Sequence, residues 1–313
     1  MNAIRIHNYG GPEVLQYEDA PRPQAGKGEV LVRVHAAGVN PLDWKVRSGL
    51  LNGFIEHRLP LIPGWEVSGV VEEVGPDVSQ FKKGEEVFAM TDPTRDGAYA
   101  DYIVVRATAL ALKPKSLHHV RAAAVPLSVV AAWRSLFDLG HLQAGQRILI
   151  HGASGGVGHF AVQLAKCKGA WVVATASTKN QELLRKLGAD EVIDYRTKKF
   201  ENLADKPDIV LDTIGGETQE RSWLVLKKGG ALISLVEPPS DEKARRFGVR
   251  GIMCSVQPDG AQLSRIAKVI DSGKLKPVID RILPLSQARR AHELSEEGHL
   301  RGKIVLRVKD VQP

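Results

Sequence analysis

The chain has 313 residues, room for two domains with separate cores, and its 43% hydrophobic and 25% charged residues are the balance of a globular protein. Two cysteines exclude a disulfide framework and a cysteine-built metal site, and point to a reducing, cytoplasmic compartment. The net charge of +7 admits nucleic acid, an acidic surface or a phosphate-rich cofactor, yet the basic residues are scattered and aromatics reach only 5%, so nucleic acid is not expected as the main ligand.

The N-terminus reads as an alternating strand without the apolar core of a signal peptide. No run approaches the roughly 20 apolar residues of a membrane span, so no membrane partner is expected. Up to about residue 122, short β-type runs (29–34, 67–74, 86–89, 102–105) alternate with turn signals such as Gly10-Gly11-Pro12 and Gly75-Pro76-Asp77. That is the texture of a compact antiparallel barrel or sandwich. After Pro126 strands begin to alternate with helices, which signals a parallel sheet of βαβ units. Strands are predicted at 147–151, 171–176, 191–195, 208–213, 231–236 and near 249–255, with helices over 157–168, 181–187 and 217–226. The last stretch predicts helices over 261–272 and around 287–296 and a closing strand at 303–308. The expected domains are 1–122, 123–258 and a return over 259–313, in an α/β protein.

Chemistry first shows where the strand Ile148-Leu149-Ile150 ends. Gly152, Gly155, Gly156 and Gly158, with Ser154 and Val157 between them, lead straight into the helical run from Phe160. Glycines let the backbone turn sharply and approach a pyrophosphate, and the helix then offers its N-terminal amides. Strand, loop, helix and next strand in that order give a motif that is weak alone its confirming context. A dinucleotide of the NAD type calls for an acid at the end of the second strand. Here 174–179 reads Ala-Thr-Ala-Ser-Thr-Lys, with no acid until Glu182. Ser177, Thr178 and Lys179, with Tyr195-Arg196 at the end of the third strand, suit a 2′-phosphate, so the expected cofactor is NADPH.

Six segments in order, AGVNPLDWKVRSG (37–49), PGWEVSG (63–69), FKKGEEVF (81–88), GAYADY (97–102), the glycine loop and GKIVL (302–306), resemble the medium-chain dehydrogenase/reductase superfamily, in its zinc-free quinone oxidoreductase branch (zeta-crystallin-like and enone reductases). The resemblance covers essentially the whole chain. It implies a GroES-like β-barrel catalytic domain, a Rossmann doubly wound parallel sheet, a C-terminal return to the first domain, an active site in the cleft between them, and a homodimer joined through Rossmann edge strands. Zinc members hold their metal with Cys near position 43 and His beside the following Glu; this chain has Asp43 and Trp65, so no metal is expected.

With NADPH and no metal, the accessible chemistry is hydride delivery to a quinone or an α,β-unsaturated carbonyl. By resemblance to plant-type enone reductases, Lys45 contacts the cofactor and lies near the substrate. Asn40 and Asp43 share its loop and are candidate catalytic groups, though Asn40 equally fits a plain turn and Asp43 a plain ion pair. Ser128, Leu235, Val236 and the segment 253–256 are expected to border the nicotinamide, and Arg301 and Lys303 to close the site. Tyr99 reads as packing, and Trp44 and Trp65 as either pocket wall or core. The other classes left open are a non-catalytic NADPH-binding redox sensor or RNA-binding crystallin-like protein and, among enzymes, an enoyl thioester reductase.

Overall fold

A computed structural model describes residues 1–202 and 205–309. The chain forms two compact units. The first comprises Met1–Leu127, Gln257–Gly273 and Pro277–Pro313, the second Ser128–Val256 with Lys274–Lys276.

In the first unit the eleven-residue strand Glu29–Val39 is the hub of a seven-stranded sheet. Its β-branched and small residues pair antiparallel with Glu66–Val74, Tyr102–Arg106 and Lys303–Arg307. One strand, Ile279–Pro284, runs parallel to Lys303–Arg307. It was not read from sequence, because Asp280, Arg281 and a terminal proline mask a run that is only half-buried. A second departure is the helix Pro41–Arg47, where a loop was expected. Pro41 suits the first helical turn, and the Asp43 carboxylate accepts the Asn40 amide at 2.7 Å, which caps it. The core gathers Ile4, Val30, Val67, Trp65, Tyr99 and Leu306, all nearly inaccessible to solvent.

The second unit is a six-stranded parallel sheet in the order Glu191–Asp194, Trp171–Ala176, Arg147–Ile150, Ile209–Asp212, Ala231–Ser234, Arg250–Met253. This is the doubly wound order in which the first strand lies at the topological switch point. Leu149, Val173, Val210 and Leu232 form its centre, the continuous apolar strands of a sheet covered on both faces. The helix Gly216–Ser222 stops short of the expected residue 226. A helix over Asp241–Phe247 was missed, since it buries only Ala244; the Ser240 hydroxyl caps it and Gly248, at φ 63°, ends it.

One expectation is corrected. The helical stretch His119–Leu139 is, by length and composition, long and apolar enough to cross a bilayer. Two-thirds of it is buried in the protein, the behaviour of a core helix. Arg121 and Arg134 interrupt its apolar run, which is why it did not stand out in the sequence.

Candidate functional site

The dinucleotide cradle lies wholly in the second unit. Strand Arg147–Ile150 ends at His151, whose buried imidazole is hydrogen-bonded to Thr175 and Ser222; burial holds its pKa down at about 4, so it stays neutral beneath the loop. Gly152 then turns with φ 60°. The amides of Gly156, Val157 and Gly158 have no backbone acceptor among the described residues and open the ten-residue helix Gly158–Cys167. Free amides at a helix N-terminus are an anion site. Ser154, nearly buried, accepts a hydrogen bond from Asn180 Nδ2 at 2.9 Å, which ties the loop to the turn after the second strand. Asn180 was missed in the sequence, where no spacing links it to the glycines.

That turn differs from expectation. Lys179 and Tyr195 are exposed and open to a ligand, and Ser177 is buried. Thr178, however, donates its hydroxyl to Asp194 Oδ2 at 2.5 Å. Asp194 also accepts the Arg196 amide at 3.0 Å and the Gln181 amide at 3.3 Å. The second strand carries no acid, but the neighbouring third strand supplies one: Asp194 is the register partner of Ala176.

On the switch-point side, Asp212 is fully buried at the end of its strand. Its Oδ1 accepts the amides of Ile214 and Gly215, both at 2.9 Å, and Oδ2 faces Gln219 and Ser234. It fixes the Thr213–Gly216 corner. Leu235 and the exposed Val236 follow the next strand and abut this corner, with Val236 3.1 Å from where a side chain on Gly215 would stand. Ser128 is buried and its hydroxyl has no partner among the described residues.

The first unit holds a second polar constellation. Glu66 is fully buried; its Oε2 accepts Lys303 Nζ at 2.9 Å and Asn40 Nδ2 at 2.9 Å, and its Oε1 accepts the Leu127 amide at 2.8 Å. Lys303 also donates to Val39 O and Asn40 Oδ1. Lys303 was expected to close the site as a cofactor contact; it is instead an internal counterion of Glu66, 3% exposed. Arg301 is exposed, its amide on Asp280. Tyr99 is more than packing, since its hydroxyl donates to Asp43 Oδ2 at 2.8 Å. Trp65 is core, and its indole N–H donates to Arg95 O. Lys45 is half-buried on the helix Pro41–Arg47, its ammonium 5.8 Å from the Trp44 ring and without an acidic partner among the described residues.

Asp43 has no solvent exposure, and burial pushes its pKa up to about 7 against the opposing pull of Asn40, Tyr99 and Lys303. A carboxyl so placed cannot touch a substrate, so it positions Asn40 and Tyr99. Because its pKa is raised on folding, its contribution to stability is complete below about pH 4 and is lost as pH rises through 7. Asp43→Asn is therefore expected to flatten the pH dependence of urea unfolding, removing a fall on the order of 3 kcal/mol between pH 5 and 8. An unchanged slope in the variant would refute this.

Two stretches of the chain match known sequence families. Residues 26–115 match the alcohol dehydrogenase GroES-like domain and residues 187–306 the zinc-binding dehydrogenase domain. The chain is 37% identical to the human mitochondrial NAD(P)H oxidoreductase RTN4IP1, covering 98% of this chain and 89% of that protein. It is also 37% identical to the chloroplastic NADPH-dependent alkenal/one oxidoreductase of Arabidopsis thaliana, over 98% of this chain and 79% of that one. Among solved structures, the quinone oxidoreductase from Coxiella burnetii superposes with a TM-score of 0.92 at 34% identity, covering 99% of each chain. The fold and cradle thus define an oxidoreductase of the alcohol-dehydrogenase type. The chain belongs to the medium-chain dehydrogenase/reductase superfamily, in the branch of the quinone and enone oxidoreductases.

The second matching family is that of zinc-binding dehydrogenases, but the residues present do not fit that ion. Asp43 spends Oδ2 on Asn40 and Tyr99, position 65 is an indole, and Glu66 is neutralised by Lys303. Among the described residues no three His, Cys, Asp or Glu side chains converge as ligands.

Proposed function

We propose that this protein is an NADPH-dependent, zinc-independent reductase that passes hydride to a quinone or to the β-carbon of an α,β-unsaturated carbonyl. The observation that carries the reading is the set of free amides at Gly156–Gly158, at the switch point of a Rossmann sheet, where a pyrophosphate fits. The nicotinamide, when bound, supplies the hydride; the chain's residues bind, orient and stabilise charge. Exposed Lys179 and Arg196 at the end of the second and third strands favour a 2′-phosphate, which supports NADPH over NADH. The Ser128 hydroxyl, buried and unpartnered, fits a polar contact to the nicotinamide end. The unpaired Lys45 ammonium fits the developing oxyanion of the acceptor. Asp43 is fully buried in the first unit's cluster and out of a substrate's reach, so the proton of the reduced product is assigned to water.

The test follows NADPH and NADH oxidation by absorbance with a panel of quinones, enones and aldehydes in the presence of EDTA. Turnover of quinones or enones unaffected by the chelator supports the reading. Tight NADPH binding without turnover across the panel would favour a binding protein, and loss of activity with EDTA would overturn zinc independence. Lys45→Met is expected to lower kcat/KM for an enone by about 10²-fold without changing the melting temperature. An equal rate in the variant would remove Lys45 from the chemistry. A homodimer is part of the same proposal. Arg250–Met253 ends the six-stranded sheet with its outer edge unpaired among the described residues, and light scattering reads the mass.

A further inference from the structure

We infer that Asp194 sets how strongly the protein discriminates a 2′-phosphorylated adenosine dinucleotide from its unphosphorylated counterpart, by placing a fixed carboxylate and an acceptor-only Thr178 oxygen beside the phosphate-binding cations. The inference rests on the dinucleotide reading above and deepens it.

In a doubly wound sheet the adenosine ribose sits at the end of the second strand, here Ala176. The carboxylate that recognises ribose hydroxyls in NAD-type sites ordinarily grows from that strand, and Ser177–Lys179 offer none. Asp194 lies laterally beside Ala176 as its parallel partner, one strand spacing away. Its oxygens are occupied by Thr178 Oγ1 at 2.5 Å, the Arg196 amide at 3.0 Å and the Gln181 amide at 3.3 Å. These hydrogen bonds favour the ionised form and hold its pKa below the usual carboxylate range.

The consequence for Thr178 is a matter of proton count. Its single hydroxyl proton is given to Asp194, so toward a ligand the oxygen offers only lone pairs. A phosphate dianion is likewise an acceptor and gains nothing there, whereas a ribose hydroxyl is a donor and matches it. The cations Lys179, Arg196, Lys198 and Lys199 are exposed in the segments that follow the second and third strands. They favour the phosphate, while Asp194 opposes it by repulsion. The two sets pull against each other, and the outcome is a protein that prefers NADPH yet retains use of NADH.

The experiment measures kcat/KM for NADPH and for NADH with one acceptor, in the wild type, Asp194→Asn and Thr178→Val. Asp194→Asn removes the charge and is expected to raise the NADPH/NADH ratio about ten-fold, chiefly by a lower KM for NADPH, with the gain shrinking at high salt. Thr178→Val is expected to raise the same ratio from the other side, by weakening NADH and leaving NADPH nearly unchanged. A ratio that stays at the wild-type value in both variants, or both cofactors weakened equally, would overturn the inference and leave Asp194 a purely structural tie. Were Asp194→Asn too unstable to assay, the Thr178→Val ratio alone decides. Failure of the wild type to use or bind either dinucleotide would instead sink the functional reading itself.

Discussion

Lys303→Met is expected to destabilise the first unit by about 3–5 kcal/mol, the cost of stranding a buried charge. Glu66 has no solvent exposure, and the only cation bonded to it among the described residues is Lys303, at 2.9 Å. Its other contacts, the Leu127 amide and the Asn40 carboxamide, are dipoles that cannot neutralise a carboxylate. The backbone packs closely against it. A side chain on Gly38 would lie 2.1 Å from Glu66 Oε2 and 2.4 Å from the Ala123 carbonyl. The variant also frees Asn40 Oδ1 and so loosens the residue that starts the helix carrying Lys45. Two measurements separate the charge from the packing. Denaturant unfolding of Lys303→Met should show the full loss, while Lys303→Met combined with Glu66→Gln should recover most of it, because the pair removed together leaves no orphan. A double variant as weak as the single one would mean that the ammonium acts through shape, and the electrostatic account would be wrong.

Where local pattern decides an element, the sequence suffices. The strand Trp171–Ala176 falls where its apolar run places it, and the glycine loop could be found because strand, turn and helix are consecutive in the chain. What the sequence hides is lateral. Asp194 meets Thr178 across sixteen positions and two strands, and Lys303 meets Asn40 across 263. Neither pair lies within a single strand or helix of the chain. The same limit explains why Lys303 was expected, with Arg301, to close the site at the cofactor. A lysine is exposed by default, and only the antiparallel pairing of Lys303–Arg307 with Glu29–Val39 turns its ammonium inward onto Glu66. Asp43 shows the converse error. Its place in a motif suggested chemistry, but its complete burial makes it a support for Asn40 and Tyr99.

The glycines of the phosphate loop were read as one motif, yet the structure gives them separate duties and so predicts separate phenotypes. Gly158 opens the helix in contact with the loop behind it. A Cβ there would lie 2.4 Å from the Gly152 carbonyl and 2.6 Å from Ala153 Cα, both backbone atoms that cannot swing aside. Gly158→Ala must push the helix off the strand end, withdrawing the amides of the anion site. It is expected to lower the stability of the second unit by about 2–3 kcal/mol, as overpacking does, and to abolish measurable dinucleotide binding. Gly155 is different. Its φ lies outside the left-handed region, and a Cβ would meet only the Gly152 carbonyl, at 3.2 Å. Gly155→Ala is therefore expected to melt within about 1 kcal/mol of the wild type, since the Gly152 carbonyl need give only a few tenths of an ångström. Its methyl would nevertheless stand on the face where the pyrophosphate approaches the backbone, so NADPH affinity is expected to fall on the order of 10²-fold. Thermal unfolding with and without NADPH reads both effects at once. A saturating ligand raises the wild-type midpoint, and Gly155→Ala should keep the apo midpoint while losing most of that increment. If Gly155→Ala kept the increment, the phosphates would not lie over this loop. If it lost apo stability as Gly158→Ala does, the loop would be a packing device, and its free amides would no longer argue for a dinucleotide.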